Sequence, residues 1–389
     1  MEGPEQRRLV QGRNLLGERL LGVPGVTAVG IGLQEFDGRP TGRVVPVAIV
    51  EEKRPLDRVD PIHAIPKSIR GIPVDVHVGG RPQKLSLLPG ASKGGTFEID
   101  RTMKRPLRGG VAMSNSRTTP EHRARSYGTL GVIMIDTFEN FYALTNAHVV
   151  ADDDWPASQD PANHKPAYQP DAVGGRPNIG VVVGLEHSGH TDVGLIRLAS
   201  GVSFVPAIQD LGPPGPHRQL TASDLEAAAP QGGIAVRKRG ARTGLTGGRI
   251  VLIQTFAIPE TPAPAGAQWW TASALDSNNG DDILLEGGHV IRGAPDMHGR
   301  PGDFMLAGDS GSVVLDDDHR VVGLGWGRSK DGGRRSTTGP PPRAADAWAT
   351  PIETVISSMS SVAAGLEVVV PLAGEDQTEP DKMTPRTVP

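Results

Sequence analysis

Glycine and proline interrupt this chain so often that long regular elements are excluded over most of its length. The 389 residues include 51 glycines and 35 prolines, more than a fifth of all positions. Proline lacks a backbone donor and glycine weakens helices and strand interiors, so both residues favour turns. Their share stays below the range of about 25–30% that is typical of low-complexity disorder. We therefore predict a mainly β protein, built from many short strands joined by turns.

Charge and cysteine content exclude several classes of protein. The formal net charge is -4, so there is no overall positive field to hold a nucleic acid or an anionic membrane. The chain has no cysteine, which excludes disulfide scaffolds, cysteine-ligated metals and cysteine nucleophiles. The first residues lack the apolar segment of a secretion signal, and no apolar run approaches the roughly 18 residues of a membrane helix. We expect a cytoplasmic protein.

The sequence divides into five parts. Residues 1–100 have the pattern of a separate α+β module without a catalytic constellation, so we interpret them as a surface for a second copy of the chain or for an activating protein partner, or simply as packing. Residues 101–125 are basic and polar, which indicates a solvated linker. Short strands then follow one another in 126–205 and 206–365, which is typical of two β-barrels. Residues 366–389 have little to bury and are predicted to be a disordered tail.

One further helix is predicted near the end of the second barrel. Ile352, Val355, Ile356 and Met359 fall on one face at helical spacing, which favours an amphipathic helix. We expect this C-terminal helix to dock on the β body through that apolar face.

Three segments carry the residue types of nucleophilic catalysis, in the order LTNAHVV, TDVGLIRL and AGDSGSVV. A serine hydroxyl is a weak nucleophile at neutral pH, so a neutral imidazole must accept its proton. A carboxylate on the other ring nitrogen orients that imidazole and stabilises its charged form. His148, Asp192 and Ser310 are the candidates, and their order along the chain is that of the chymotrypsin-type triad. Gly308 and Gly311 permit a tight turn in which backbone amides point at a developing oxyanion.

At these motifs the chain resembles the trypsin-like serine peptidases, whose fold is the chymotrypsin-like double β-barrel. TNAHVV is similar to the family's histidine motif, TDVGLIRL to its aspartate motif and GDSGS to its serine motif. VRKRGARTGLTGGRI resembles the turn and strand that open the second barrel, and VGLGWG resembles the strand that lines the substrate cleft. The resemblance covers roughly residues 126–360. The N-terminal extension is similar to intracellular bacterial members and, more distantly, to the plant narrow-leaf proteases.

This resemblance implies a serine endopeptidase that acts on polypeptides and needs no cofactor or metal. His148 would be the general base, Asp192 the orienting acid and Ser310 the nucleophile. The amides of Gly308 and Ser310 would bind the oxyanion. The remaining residues implied to contact substrate are Phe304 near the floor of the side-chain pocket, and Gly325, Trp326 and Gly327 along the cleft.

Two departures from the family bear on activity. Gly325 stands where the family has a serine whose hydroxyl supports the triad aspartate, so that support is missing. In the family, a freed amino terminus inserts near the position of Asp309 during activation. An extension of about a hundred residues argues against that switch unless the chain is cleaved.

Two alternatives remain open at this point. The first is an inactive trypsin-like scaffold that serves as a protein-interaction module. The second is a zinc site formed by His187, His190 and Asp192. We favour the triad over the zinc site because the metal would take Asp192 from His148 and no third histidine has suitable spacing.

Overall fold

The computed structural model of the chain describes residues 3–36, 39–84, 99–115, 127–151, 165–170, 178–187, 191–258, 288–294, 302–329, 345–372 and 383–389. Strands dominate these ranges, as predicted for a mainly β protein. Among the helices that lie in the described ranges, none is long and apolar enough to cross a membrane.

The N-terminal part contains one long helix and six strands. They are α1 (Pro4–Leu20), β1 (Val26–Phe36), β2 (Arg39–Val50), β3 (Ser68–Ile69), β4 (Ile72–Pro73), β5 (Asp75–Val78) and β6 (Pro82–Lys84).

The middle part contains the first barrel and the elements that flank it. They are β7 (Leu107–Gly109), β8 (Val111–Asn115), β9 (Tyr127–Leu130), β10 (Ile133–Ile135), β11 (Phe141–Thr145), α2 (Ala147–Val150), β12 (Pro166–Tyr168), β13 (Asn178–His187), β14 (Asp192–Leu198) and β15 (Ser203–Ile208).

The last part forms the second barrel and the C-terminal elements. They are β16 (Gly215–His217), α3 (Ala222–Ala227), β17 (Ile234–Gly240), β18 (Gly244–Ala257), β19 (Gly288–Gly293), β20 (Val313–Asp316), β21 (Arg320–Ser329), β22 (Ala347–Pro351), α4 (Ile352–Ser358), β23 (Glu367–Val368) and β24 (Arg386–Thr387).

The first barrel is a half-barrel, a curled sheet of antiparallel pairings. They join β10 to β11, β11 to β14, β14 to β13, β13 to β12, β12 to β8, and β8 to β9. Strand β10 follows β9 directly along the chain, and the Gly131 N–H between them donates to the Leu144 carbonyl. The curled sheet encloses an apolar cluster that includes Leu130, Ile133 and Ile196.

The second barrel is closed. Its antiparallel pairings run from β17 to β18, β19, β22, β21 and β20, and then return to β17. Val236, Ile250, Ile291 and Val314 are buried together in the associated cluster. Two such barrels in one chain match the chymotrypsin-like double barrel that the sequence predicted.

The C-terminal helix α4 packs between the two barrels, as expected from its apolar stripe. Ile352 and Val355 are buried with Tyr142 of the first barrel and with Val313 and Leu324 of the second. Burying one face against both barrels makes the helix part of their interface.

The tail prediction is wrong for the described residues of 366–389. Strand β23 pairs with β10, and β24 pairs with β15. Val368, Met383 and Val388 are buried. These apolar side chains are spread among charged residues, so the composition of the segment did not indicate that they are buried.

The linker prediction for 101–125 also needs correction, since β7 and β8 lie within it and are buried throughout. Strand β8 belongs to the first barrel. Its apolar residues Val111, Ala112 and Met113 were outweighed in the sequence by the surrounding arginines. Residues 116–125 lie outside the described ranges.

The N-terminal residues are not separate from the second barrel. Strand β1 pairs with β18 on one side and with β2 on the other, while β2 pairs in parallel with β5, so that all belong to one sheet. Strand β1 is buried from Val26 to Leu33, and α1 covers the sheet with Leu16 and Leu20. The first part of the chain therefore continues the second barrel rather than forming the independent module predicted for 1–100.

Candidate active site

His148 and Asp192 meet where two neighbouring strands of the first barrel begin and end. Strands β11 and β14 are antiparallel, with Thr145 opposite Gly194, so the end of β11 lies beside the start of β14. The chain leaves β11 through Asn146, which is extended, and begins the short helix α2. This turn directs His148 back towards the first residue of β14.

The contact between these two residues is close. His148 Nδ1 lies 2.5 Å from Asp192 Oδ2. The backbone N–H of His148 donates to Asp192 Oδ1 over 3.1 Å, and Asn146 Nδ2 donates to the Asp192 carbonyl over 2.6 Å. The Asp192 carboxylate is fully buried, while the His148 side chain keeps 14% exposure. A buried carboxylate on Nδ1 selects the tautomer that leaves Nε2 to accept a proton.

Ser310 lies in a turn of the second barrel that rests on the first. Gly308 and Gly311 on either side have φ of 105° and 92°, conformations that side chains other than glycine rarely adopt. Thr129 of β9 holds the turn: its N–H donates to the Ser310 carbonyl over 2.7 Å, and its hydroxyl donates to the Gly308 carbonyl over 3.0 Å. The predicted reason for both glycines, a tight turn, fits this backbone.

The turn thereby approaches the histidine segment. A Cβ built on Gly128 would lie 2.3 Å from Val149 Cγ2 and 2.8 Å from the Ser310 carbonyl oxygen. The Ser310 backbone is therefore within about 5 Å of the residue next to His148. No hydrogen-bond partner of His148 Nε2 is found among the described atoms. The structure joins His148 to Asp192 and brings the serine turn near them without a hydrogen bond between Ser310 and His148.

The residue before the serine anchors the turn through a buried ion pair. Lys238 Nζ lies 3.0 Å from Asp309 Oδ2, and neither side chain has exposed surface. Thr243 bonds both partners, because its hydroxyl donates to Asp309 over 2.7 Å and lies 2.5 Å from Lys238 Nζ. The N–H groups of Arg242 and Leu306 also donate to the carboxylate.

The pKa values of this pair respond to burial and to charge. Burial alone would raise the pKa of Asp309, but the Lys238 ammonium and the surrounding donors hold it below its usual value. Burial lowers the pKa of Lys238, and the attraction of Asp309 opposes that shift. An internal lysine therefore supplies the positive charge beside Asp309, and no freed amino terminus is needed there.

Sequence reasoning missed Lys238 as a site residue. It lies on β17, where Val236 and Gly240 are also buried and Arg237 between them is exposed. The alternation could have identified a lysine on the inward face. The family resemblance instead predicts only the turn and strand that open the second barrel here, and it gives no role to the lysine.

The predicted pocket residue Phe304 lies inside the second barrel. Its side chain is fully buried in the barrel cluster, and its ring centroid is 5.8 Å from Lys238 Nζ. Met305 takes the space beside Gly325, since its thioether sulfur lies 2.6 Å from where a Gly325 Cβ would be. This corrects the expectation that Phe304 forms the floor of an open pocket, because an apolar ring here completes the barrel core.

The predicted cleft residues lie beside the serine turn. Gly311 N–H donates to the Gly325 carbonyl and Gly325 N–H donates to the Ser312 carbonyl, both over 2.9 Å. Trp326 is only 1% exposed, and its ring centroid is 6.2 Å from that of Trp348. Gly327 continues β21 and is buried.

The zinc alternative stays an expectation, because it needs His190 in addition to two described residues; within the described ranges themselves, no group of three or more metal-ligating side chains is found. His187 ends β13 opposite Asp192. His190 lies outside the described residues. Asp192 is engaged by His148 as described above.

Comparisons with known proteins concern the fold. No protein-family model and no curated protein matches the chain. Solved structures that it resembles include Thermobifida fusca protease A, with 14% identity, a TM-score of 0.40 and coverage of 68% of this chain and 99% of that chain. Cellulomonas bogoriensis chymotrypsin has 16% identity and a TM-score of 0.38, with coverage of 68% of this chain and 99% of that chain. Nocardiopsis protease has 13% identity and a TM-score of 0.39, with coverage of 67% of this chain and 98% of that chain. At these identities the interpretation of the site depends on its own geometry.

Proposed function

We propose that this chain is a serine endopeptidase in which His148, Asp192 and Ser310 act together. The observation that carries the proposal is the 2.5 Å contact between His148 Nδ1 and the buried Asp192 carboxylate. The glycine-flanked serine turn docked on Thr129 is the second support. An oriented imidazole beside a serine in a tight turn has the parts needed to activate a hydroxyl.

The proposed reaction assigns one step to each of these side chains. Ser310 Oγ attacks the peptide carbonyl carbon while His148 Nε2 accepts the hydroxyl proton, and Asp192 stabilises the imidazolium. The tetrahedral oxyanion is stabilised by the amides of Gly308 and Ser310, an interaction worth about 10²–10³ in rate for each donor in comparable sites. His148 then protonates the leaving amine. Water, deprotonated by the same imidazole, hydrolyses the acyl-enzyme.

Covalent labelling tests the proposal directly. An alkyl fluorophosphonate should phosphonylate Ser310 in the wild-type chain, and Ser310→Ala should abolish both labelling and hydrolysis of a peptide substrate, with a loss of about 10⁶ if the triad acts as a unit. Ser312→Ala is the matched control, since its buried hydroxyl has no partner among the described residues. Labelling that survives in Ser310→Ala would remove Ser310 from the mechanism.

An inactive interaction scaffold is the second candidate. It is favoured by one observation, the absence of a described hydrogen-bond partner on His148 Nε2. A scaffold of this kind would take no fluorophosphonate at any concentration at which the wild-type chain stays folded. Stoichiometric labelling of Ser310 would exclude it.

A further inference from the structure

A short N-terminal strand occupies the edge of β21 next to the candidate nucleophile. Strand β21 is bonded to the serine turn at Gly325. Immediately beyond this point, β6 pairs with it in antiparallel fashion, with Lys84 opposite Gly327 and Pro82 opposite Ser329. The edge that leads to Ser310 is therefore filled by residues from the first part of the same chain.

The pairing depends on the main chain. Ser329 N–H donates to the Asp346 carbonyl on the β22 side of β21 over 2.7 Å. Successive residues of a strand turn their backbone groups to opposite edges, so the groups of Arg328 face β6 and stand opposite Gln83. Main-chain pairing of this kind accepts any extended peptide that can reach the edge.

The direction of β6 is also informative. Because the pairing is antiparallel, β6 begins opposite Ser329, ends opposite Gly327 and so leads towards the serine turn. Beyond the undescribed residues 85–98, the chain returns at the turn: Ile99 Cδ1 lies 3.3 Å from where a Gly308 Cβ would be. Asp100 N–H then donates to the Ala241 carbonyl. The N-terminal part thus contacts both β21 and the serine turn.

The face of β21 is covered by the same part of the chain. Trp326 is buried in a cluster that contains Val45, Val47 and Ile49 of β2. Both the edge and the tryptophan face of β21 are therefore closed by residues that precede the first barrel.

We propose that Pro82–Lys84 is an internal ligand on the edge of β21 from Gly327 to Ser329, and that a polypeptide substrate must displace it. This inference rests on the proposed peptidase function. The internal strand is suited to displacement because it has three residues, of which only Gln83 turns its backbone groups towards β21. A longer substrate strand can form more main-chain hydrogen bonds with the same edge.

Substitutions in β6 test the competition. Gln83→Pro removes the N–H opposite Arg328, whereas Gln83→Ala keeps it and is the matched control. With fluorescein-labelled casein as the substrate, Gln83→Pro should lower KM by about five- to tenfold, the effect of losing one hydrogen bond, relative to Gln83→Ala. A small alkyl fluorophosphonate does not reach the edge, so its rate of labelling Ser310 should agree within twofold between Gln83→Pro and Gln83→Ala.

A measurement on the wild-type chain covers the case in which Gln83→Pro does not fold. Ser310 is phosphonylated either with a peptidyl phosphonate or with the small alkyl probe, and hydrogen exchange is followed in residues 79–84. Faster exchange with the peptidyl probe is expected. Labelling by both probes with equal exchange, or equal casein KM values in two folded Gln83 variants, would overturn the internal-ligand proposal alone. No labelling by either probe would overturn it together with the peptidase function.

Discussion

Replacing Lys238 by methionine should strongly destabilise the serine turn. The substitution removes the ammonium from a fully buried ion pair and leaves the Asp309 carboxylate without its counter-charge. Methionine is unbranched and flexible, so the shape of the site changes little while its charge changes by one. The expected effect is therefore electrostatic.

The size of the effect follows from the surroundings of Asp309. Removing one partner of a buried pair costs about 3–5 kcal/mol, because the other charge stays buried. The carboxylate keeps the N–H groups of Leu306, Arg242 and Thr243 and the Thr243 hydroxyl as donors. Donors to an ionised group favour its charged form, so we expect the lower end of the range, about 3 kcal/mol.

Urea-induced unfolding followed by tryptophan fluorescence measures this loss. The double variant Lys238→Met/Asp309→Asn is the control, since it removes both charges and should recover at least half of the lost free energy of unfolding. Fluorophosphonate labelling of Ser310 should slow in the single variant, because Asp309 holds the turn. A wild-type urea midpoint together with wild-type labelling in Lys238→Met would refute the role given to the ion pair.

Three further changes probe other parts of the molecule. Burial lowers the pKa of His289 from 6.5 to about 4, so between these pH values the unfolded chain binds a proton that the folded chain excludes. The free energy of unfolding should therefore fall by about 3 kcal/mol as the pH falls through this window. A profile of the urea midpoint against pH should lose this slope in His289→Leu. A Cβ on Gly311 would lie 2.2 Å from Thr145 Oγ1, so Gly311→Ala should abolish Ser310 labelling in the fluorophosphonate assay. Met359→Ala should cost about 2–5 kcal/mol in urea unfolding, because the side chain is buried with residues of both barrels.

Each of these changes has a control and a contradicting result. Gly3→Ala, which has open space around its Cβ, should label normally; normal labelling of Gly311→Ala as well would contradict the role of the turn. Val362→Ala, at a position that is 41% exposed, should barely shift the urea midpoint, and an equally small shift in Met359→Ala would contradict its packing role. A pH slope retained in His289→Leu would assign the slope to other groups.

Local patterns predicted the parts of the site that lie within a few residues of one another. The motifs around His148 and Asp192 could be recognised from the sequence, as could the turn between Gly308 and Gly311. Their mutual approach depends on the pairing of β11 with β14 and of the serine turn with Thr129, which local patterns do not encode. The motif order supplied that expectation through family resemblance.

The errors have a common physical origin. The α+β pattern of residues 1–100 was recognised, but β18, the partner of β1, lies more than 200 residues away along the chain, and alternation cannot identify a distant partner. Lys238 was overlooked because a buried lysine depends on a partner, and Asp309 is supplied by another loop. Phe304 was assigned to a pocket from its spacing to Ser310, whereas its burial is set by the whole barrel.

The two hydrogen bonds from Thr129 to the serine turn fasten a loop of one barrel to a strand of the other. The proposed nucleophile and base come from different barrels, so they keep their relative positions only while this contact between the barrels is intact. Heating should consequently abolish the reactivity of Ser310 at the temperature at which the two barrels separate, before either barrel unfolds. Inactivation would then report on the joint between the halves, not on the melting of each half.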